Sequence, residues 1–175
     1  MKKFLIYTAI ILLVGFIFLN RNSFVEEEKE VVVQTDSEQT SIVNVYLVEV
    51  DKQNNQVVVP VKRKILKNDI YKNTINALLW GPNQTEAEKK HLSTEIPRKT
   101  QLLKVNEYSD MVTIDFSKDF ETGGGSNSMT IRLEQVANTV SDMTDKPVYL
   151  YIEGKEISVL GGDGIIVKQP INIIK

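Results

Sequence analysis

The sequence predicts an α+β domain in which two helices pack on one face of a mostly antiparallel sheet. Three observations carry that prediction. Over residues 128–143, Met129, Leu133, Val136, Val140 and Met143 recur at steps of four, three, four and three, an apolar stripe of helical period. Residues 42–50, IVNVYLVEV, and 148–152, VYLYI, read as strands. The segments follow in the order β-β-α-β-β-α-β-β, and each helix stripe needs a sheet face to cover it.

The elements can be justified in turn. After the first strand, Asp51-Lys52-Gln53-Asn54-Asn55 supplies turn residues. A second strand returns over 57–66, with Val57, Val59, Val61 and Ile65 on one face, and Pro60 either weakens it or places it at a sheet edge. Asn68 or Asp69 is positioned to cap a helix over 70–80, whose Tyr71, Ile75, Leu78 and Leu79 share helical spacing. Gly81-Pro82 stops it, and Trp80 just before the stop reads as a core residue. A long polar connection covers 83–99, with a short exposed helical turn at 86–90. Residues 101–108 and 111–116 read as an antiparallel pair around Ser109-Asp110, and Gly123-Gly124-Gly125 forms a loop before the second helix. Glu153-Gly154-Lys155 turns the 148–152 strand into one over 156–160, and Gly161-Gly162-Asp163-Gly164 turns again into 165–167 at positive φ. Leu78, Leu79, Val136 and Val140 are expected to be buried against the sheet.

Organisation follows from charge and hydropathy. Residues 4–19, FLIYTAIILLVGFIFL, form an uncharged apolar run directly after Met1-Lys2-Lys3. As a helix it spans roughly 24 Å, close to a bilayer core of about 30 Å. A cleaved secretory signal has the same pattern, but no small-x-small site follows, and with no cysteine there is no lipidation site. Residues 1–21 therefore read as a cytoplasmic tip and an uncleaved signal anchor. The Lys2-Lys3 flank belongs in the cytoplasm, and the flank bearing Glu26, Glu27, Glu28 and Glu30 outside it. Residues 22–41 hold six acidic residues against Lys29 alone and read as a solvated acidic linker. Residues 42–175 are balanced at 17 basic against 17 acidic, which argues against a nucleic-acid partner.

Chemistry-bearing residues are sparse. His91 is the only histidine, and with no cysteine the chain lacks the ligand set of a zinc site. Asp115 and Asp119 stand four apart, but Asp115 ends a strand, where it and Ser117 suit turn capping better than paired acid–base work. The run Gly123 to Ser128 lacks the Lys-Ser/Thr of a P-loop. No catalytic, metal or cofactor-binding residue is expected. Gln135, Asn138, Thr139 and Asp142 share a helix face turned away from Met129 and Leu133.

Several segments together resemble the GerMN domain of sporulation and spore-germination proteins. Val45-Tyr46-Leu47 opens a strand. Ala77-Leu78-Leu79-Trp80-Gly81-Pro82 looks like the family's leucine-rich helix end with Gly-Pro. His91-Leu92-Ser93-Thr94-Glu95-Ile96-Pro97 looks like its Gly-Leu-x-Ser-x-Ile-Pro segment, with His91 in place of the usual Gly. Val112 to Ser117, with Asp115, is similar to its Val-x-Val-Asp-Leu-Ser segment. Gln135 to Val140 is similar to its Gln…Thr helix, and 148–154 to its strand ending in Asp-Gly, here Glu153-Gly154. The resemblance implies a non-enzymatic extracytoplasmic module, with structural signature residues at Gly81, Pro82, Leu92, Ser93, Ile96, Pro97, Asp115, Ser117, Gln135, Thr139 and Gly154. It further implies that Gln135 and Thr139 make structural hydrogen bonds to a neighbouring loop. Envelope or sporulation proteins are the expected partners, peptidoglycan the alternative. Within the long connection, Glu88, Lys89, Lys90 and His91 stand as a candidate interaction loop ahead of an apolar anchor.

Overall fold

The computed structural model describes residues 39–162 and 164–172. The apolar run at 4–19 and most of the acidic linker lie outside the described residues. Strand β1 (Thr40–Val50) pairs with β2 (Gln56–Leu66) in an antiparallel hairpin, Thr40 opposite Leu66 and Val50 opposite Gln56. Asp51 closes the turn: its Oδ1 accepts the backbone N–H groups of Gln53 and Asn55, both at 2.8 Å. The Asn55 bond leads in holding the Asp51 carboxyl below its ordinary pKa. Helices α1 (Ile70–Trp80) and α2 (Gln84–Lys90) follow. Next come β3 (Leu102–Glu107), β4 (Val112–Phe116), a 3₁₀ turn at Lys118–Glu121 and α3 (Ser126–Ser141). The short strands β5 (Val148–Ile152), β6 (Lys155–Glu156), β7 (Val159–Leu160) and β8 (Ile165–Ile166) complete the order.

The class is α+β, as the sequence predicts, and four of the five ladders are antiparallel. The arrangement is finer than one sheet. The β1-β2 hairpin stands apart from a four-stranded β3-β4-β5-β6 sheet and a β7-β8 pair. Strands β4 and β5 run parallel, because α3 carries the chain back across the sheet before β5 begins. The expected 156–160 strand is split, β6 pairing with β5 and β7 with β8.

One core joins these elements. Val45 and Leu47 of β1, Ile75 and Leu78 of α1, Ile114 and Phe116 of β4, Val136 of α3 and Leu150 of β5 are fully buried. Phe116 and Phe120 stack with ring centroids 4.7 Å apart. Val140 is also buried, whereas Leu79 is only half-buried. Trp80 is 85% exposed, which corrects its assignment to the core. Helical geometry explains it: at about 100° per residue, Trp80 lies about 200° around the axis from fully buried Leu78.

Two further expectations change. The connection at 83–99 carries a regular helix, α2. Its capping box joins the Asn83 side chain to Glu86 N–H at 3.0 Å and the Glu86 carboxylate to Asn83 N–H at 2.9 Å. Asp69 holds the N-cap position of α1, but its side chain accepts no capping hydrogen bond. Asn73 Nδ2 instead binds the carbonyls of Leu66 (3.1 Å) and Asn68 (2.5 Å), tying helix to strand.

Candidate functional site

The polar side of α3 carries two of the polar signature residues, Gln135 and Thr139. Ser128, Arg132, Gln135, Thr139 and Asp142 step by four, three, four and three, one position behind the apolar stripe. That row lies against the open edge of β1. In the hairpin the odd-numbered β1 residues bond to β2, so Tyr46 and Val48 turn their backbone groups outward. Gln135 Nε2 donates to Tyr46 O at 2.8 Å, and Tyr46 N–H donates to Thr139 Oγ1 at 3.1 Å. Val48 exchanges both bonds with Ser93, at 2.9 and 2.8 Å. Gln135 Oε1 also accepts Glu95 N–H at 2.9 Å, fixing the 93–95 segment beside the strand. At the far end Asp142 accepts from Asn44 Nδ2 (2.8 Å) and the Tyr46 hydroxyl (3.1 Å). Burial, and after it Asp142, raises the Tyr46 pKa. Gln135 and Thr139 are fully buried, and Asn138 stays exposed.

Arg132 is the residue the sequence reading missed. It is 1% exposed, and its guanidinium lies 5.8 Å from the Phe120 ring centroid. Nε donates to Glu95 O at 2.9 Å, Nη2 to Gly123 O at 3.0 Å, and Nη1 to Phe120 O. Burial lowers its pKa while the Glu95 charge pulls it back up. Three loop carbonyls are thus gathered on one side chain. Its spacing from Gln135 and Thr139 was the available signal. A long cation on that row reads more readily as a solvated residue than as a buried clamp.

The loop at 88–91 sits on a second anchor. Arg63 grips Glu86 with two bonds of 2.7 Å, and the Glu86 side chain is only 10% exposed. The hydrogen bond from Arg63 leads in holding the Glu86 carboxyl below its ordinary pKa. Leu92 and Ile96 are buried in the core and Pro97 is half-buried, while Glu88, Lys89, Lys90 and His91 all face solvent. His91 takes the left-handed conformation (φ 54°) at the end of α2, the geometry that the family's glycine would adopt without strain. Gly81 adopts φ 71°, ψ −157°, a region open essentially to glycine, and a Cβ there would meet Thr94 Cγ2 at 3.1 Å.

We expect Arg63→Met to destabilise the domain by about 1–3 kcal/mol, because it strands a buried carboxylate. The pH dependence has a definite sign. A carboxyl with a lowered folded pKa contributes stability above its unfolded value of about 4.3, and that contribution is lost as pH falls through the folded value. Denaturant midpoints compared between about pH 3 and pH 7 should therefore show a shallower acid-side decline in Arg63→Met than in the parent.

Of the two carboxylates weighed for catalysis, Asp115 is engaged in a turn. Both oxygens of Asp115 accept Gly154 N–H, at 3.1 and 3.0 Å, and hold the two-residue turn Glu153-Gly154, where both φ values are positive. The backbone carbonyl of Asp119 closes the 3₁₀ turn with Thr122. Ser117 Oγ accepts Gln101 N–H at 3.0 Å. Among the described residues, no group of His, Cys, Asp and Glu side chains is placed to hold a metal ion.

Two depressions meet at the α1–α2 corner, where Trp80 is exposed. Trp80 borders an open groove of about 680 Å³ between β2 and α1, lined in part by Lys64, Ile65, Leu66, Ala77 and Pro82. On its other side it borders a second depression with Leu92 and Arg98.

The family described as Germane, sporulation and spore germination, matches residues 44–158. The chain belongs to this family. Two solved structures share the Germane fold. One is the tandem GerMN domains of the sporulation protein GerM from Bacillus subtilis, at 22% identity and TM-score 0.58. It is matched over 75% of this chain and 45% of that one, so this chain spans less than half of the tandem protein's length. The other is the first GerMN domain of the same protein, at 19% identity and TM-score 0.57, over 74% of this chain and 95% of that one. No curated protein matches the chain.

Proposed function

We propose that this Germane domain is a non-enzymatic, membrane-tethered module that works outside the cytoplasm by protein–protein assembly, in sporulation, germination or cell-envelope processes. One observation carries the reading. Asp115, Gln135 and Glu86 are engaged in internal bonds, while the exposed residues at 88–91 and Trp80 project from a corner anchored by the Arg63–Glu86 pair. A surface held by a bidentate ion pair and a buried helix cap suits recognition of a partner. Tethering rests on the apolar run at 4–19 and its charged flanks. Among the described residues no helix is long and apolar enough to cross a membrane.

The exposure of Trp80 also favours a second reading, a binding module for peptidoglycan or another wall glycan that stacks a sugar on the indole. Photo-crosslinkers at Lys89 and Lys90 of the full chain in native cells separate the two. Defined protein adducts support assembly. Adducts to wall glycan alone support the second reading, and their complete absence defeats the first. A reporter active only outside the cytoplasm, fused after Lys175, should be active, and silence would overturn the orientation.

A further inference from the structure

We infer that the Trp80 corner is a docking site for an acidic protein segment that carries an apolar side chain between carboxylates. This rests on the assembly reading and names its surface and partner chemistry.

The first support is charge. The 17 against 17 balance of residues 42–175 hides a strong asymmetry. Residues 62–104 carry ten Lys and Arg against four Asp and Glu, a net of +6, and the rest of that stretch carries the compensating −6. The corner lies within the basic section. Lys64 lines one depression beside Trp80 and Arg98 the other, and neither has an ion-pair partner among the described residues. Cations on both sides of an indole complement carboxylates on both sides of an apolar anchor.

The second support is the indole itself. At 85% exposure Trp80 is the most exposed large hydrophobic side chain of the described residues. It stands on the rim of an apolar groove, the environment in which aromatic side chains become binding anchors. The third support is backbone. With odd residues bonded to β1, β2 turns the backbone groups of Val58, Pro60, Lys62 and Lys64 outward, and none has a backbone partner among the described residues. Pro60 offers no N–H and the Lys62 carbonyl already accepts Arg63 Nη1 at 3.2 Å, so the usable edge narrows to the Lys62 N–H and the backbone of Lys64, which lines the groove. An extended peptide uses such an edge through both donors and acceptors. A simple polyanion offers acceptors only, which favours a protein segment.

Trp80 is the sole tryptophan, so its fluorescence reports the site directly. The full chain, purified in detergent, would be panned against displayed random short peptides and the enriched peptide titrated. The expected result is enrichment of apolar residues flanked by Asp or Glu, and saturable blue-shifted Trp80 emission. Trp80→Ala, read by anisotropy of labelled peptide, and the Lys64→Glu, Arg98→Glu pair should each weaken binding about tenfold or more. These side chains are exposed, and unchanged melting would confirm that the variants fold. Four results overturn the proposal: no acidic enrichment, equal binding to the Trp80→Ala chain, an equal response to polyphosphate, or self-association at this corner in sedimentation. Protein adducts from Lys89 that persist unchanged in the Trp80→Ala chain would sink this docking site while leaving the assembly reading intact.

Discussion

Arg132→Ala should destabilise the domain by about 3–5 kcal/mol, the range for breaking a buried charged network and leaving a large void. The side chain is 1% exposed and is the bond partner of the Glu95, Phe120 and Gly123 carbonyls. Its loss leaves those carbonyls without a donor and removes the cation facing the Phe120 ring. Arg132→Lys separates charge from geometry. An ammonium keeps the charge but lacks the planar fork that reaches three diverging oxygens, so most of the loss should remain. The measurement is the denaturant midpoint of the full chain, with hydrogen exchange at Glu95 and Gly123 as the local readout. Stability within about 0.5 kcal/mol of the parent for both variants would show that the guanidinium holds nothing that water cannot replace.

Gln135→Leu is expected to cost about 1–3 kcal/mol, despite similar volume and a more apolar side chain, because it leaves two part-buried backbone groups unpaired. Tyr46 O loses its donor and Glu95 N–H its acceptor. Thr139→Val removes the acceptor of the adjacent Tyr46 N–H and should cost about 1–2 kcal/mol. Both act on the edge of β1, so the double variant should lose less than the sum of the two. A double-mutant cycle on denaturant midpoints checks this. Strict additivity would mean that the two side chains do not close one edge together.

The two substitutions also show where sequence legibility ends. The helical period of α3, the alternation of β5, the two-residue turn at Glu153-Gly154 and the stop at Gly81-Pro82 are local in origin. Each depends on backbone geometry and side-chain spacing within a few residues, so each can be read from the chain alone. The same holds for the α+β class, for burial of Leu78, Val136 and Val140, and for the segments by which the chain resembles its family.

Tertiary structure decided what depends on partners distant in sequence. Whether a polar row on α3 meets water or a strand edge depends on Tyr46, 89 residues from Gln135. Whether Arg132 is solvated or buried depends on carbonyls from two separate loops. The parallel pairing of β4 with β5, the exposure of Trp80 and the anchoring of α2 by Arg63 have the same origin. Apolar periodicity reports which face of a helix leaves water. It cannot report which polar groups go with it, because a buried polar side chain is stable only where another part of the chain supplies its hydrogen-bond partner.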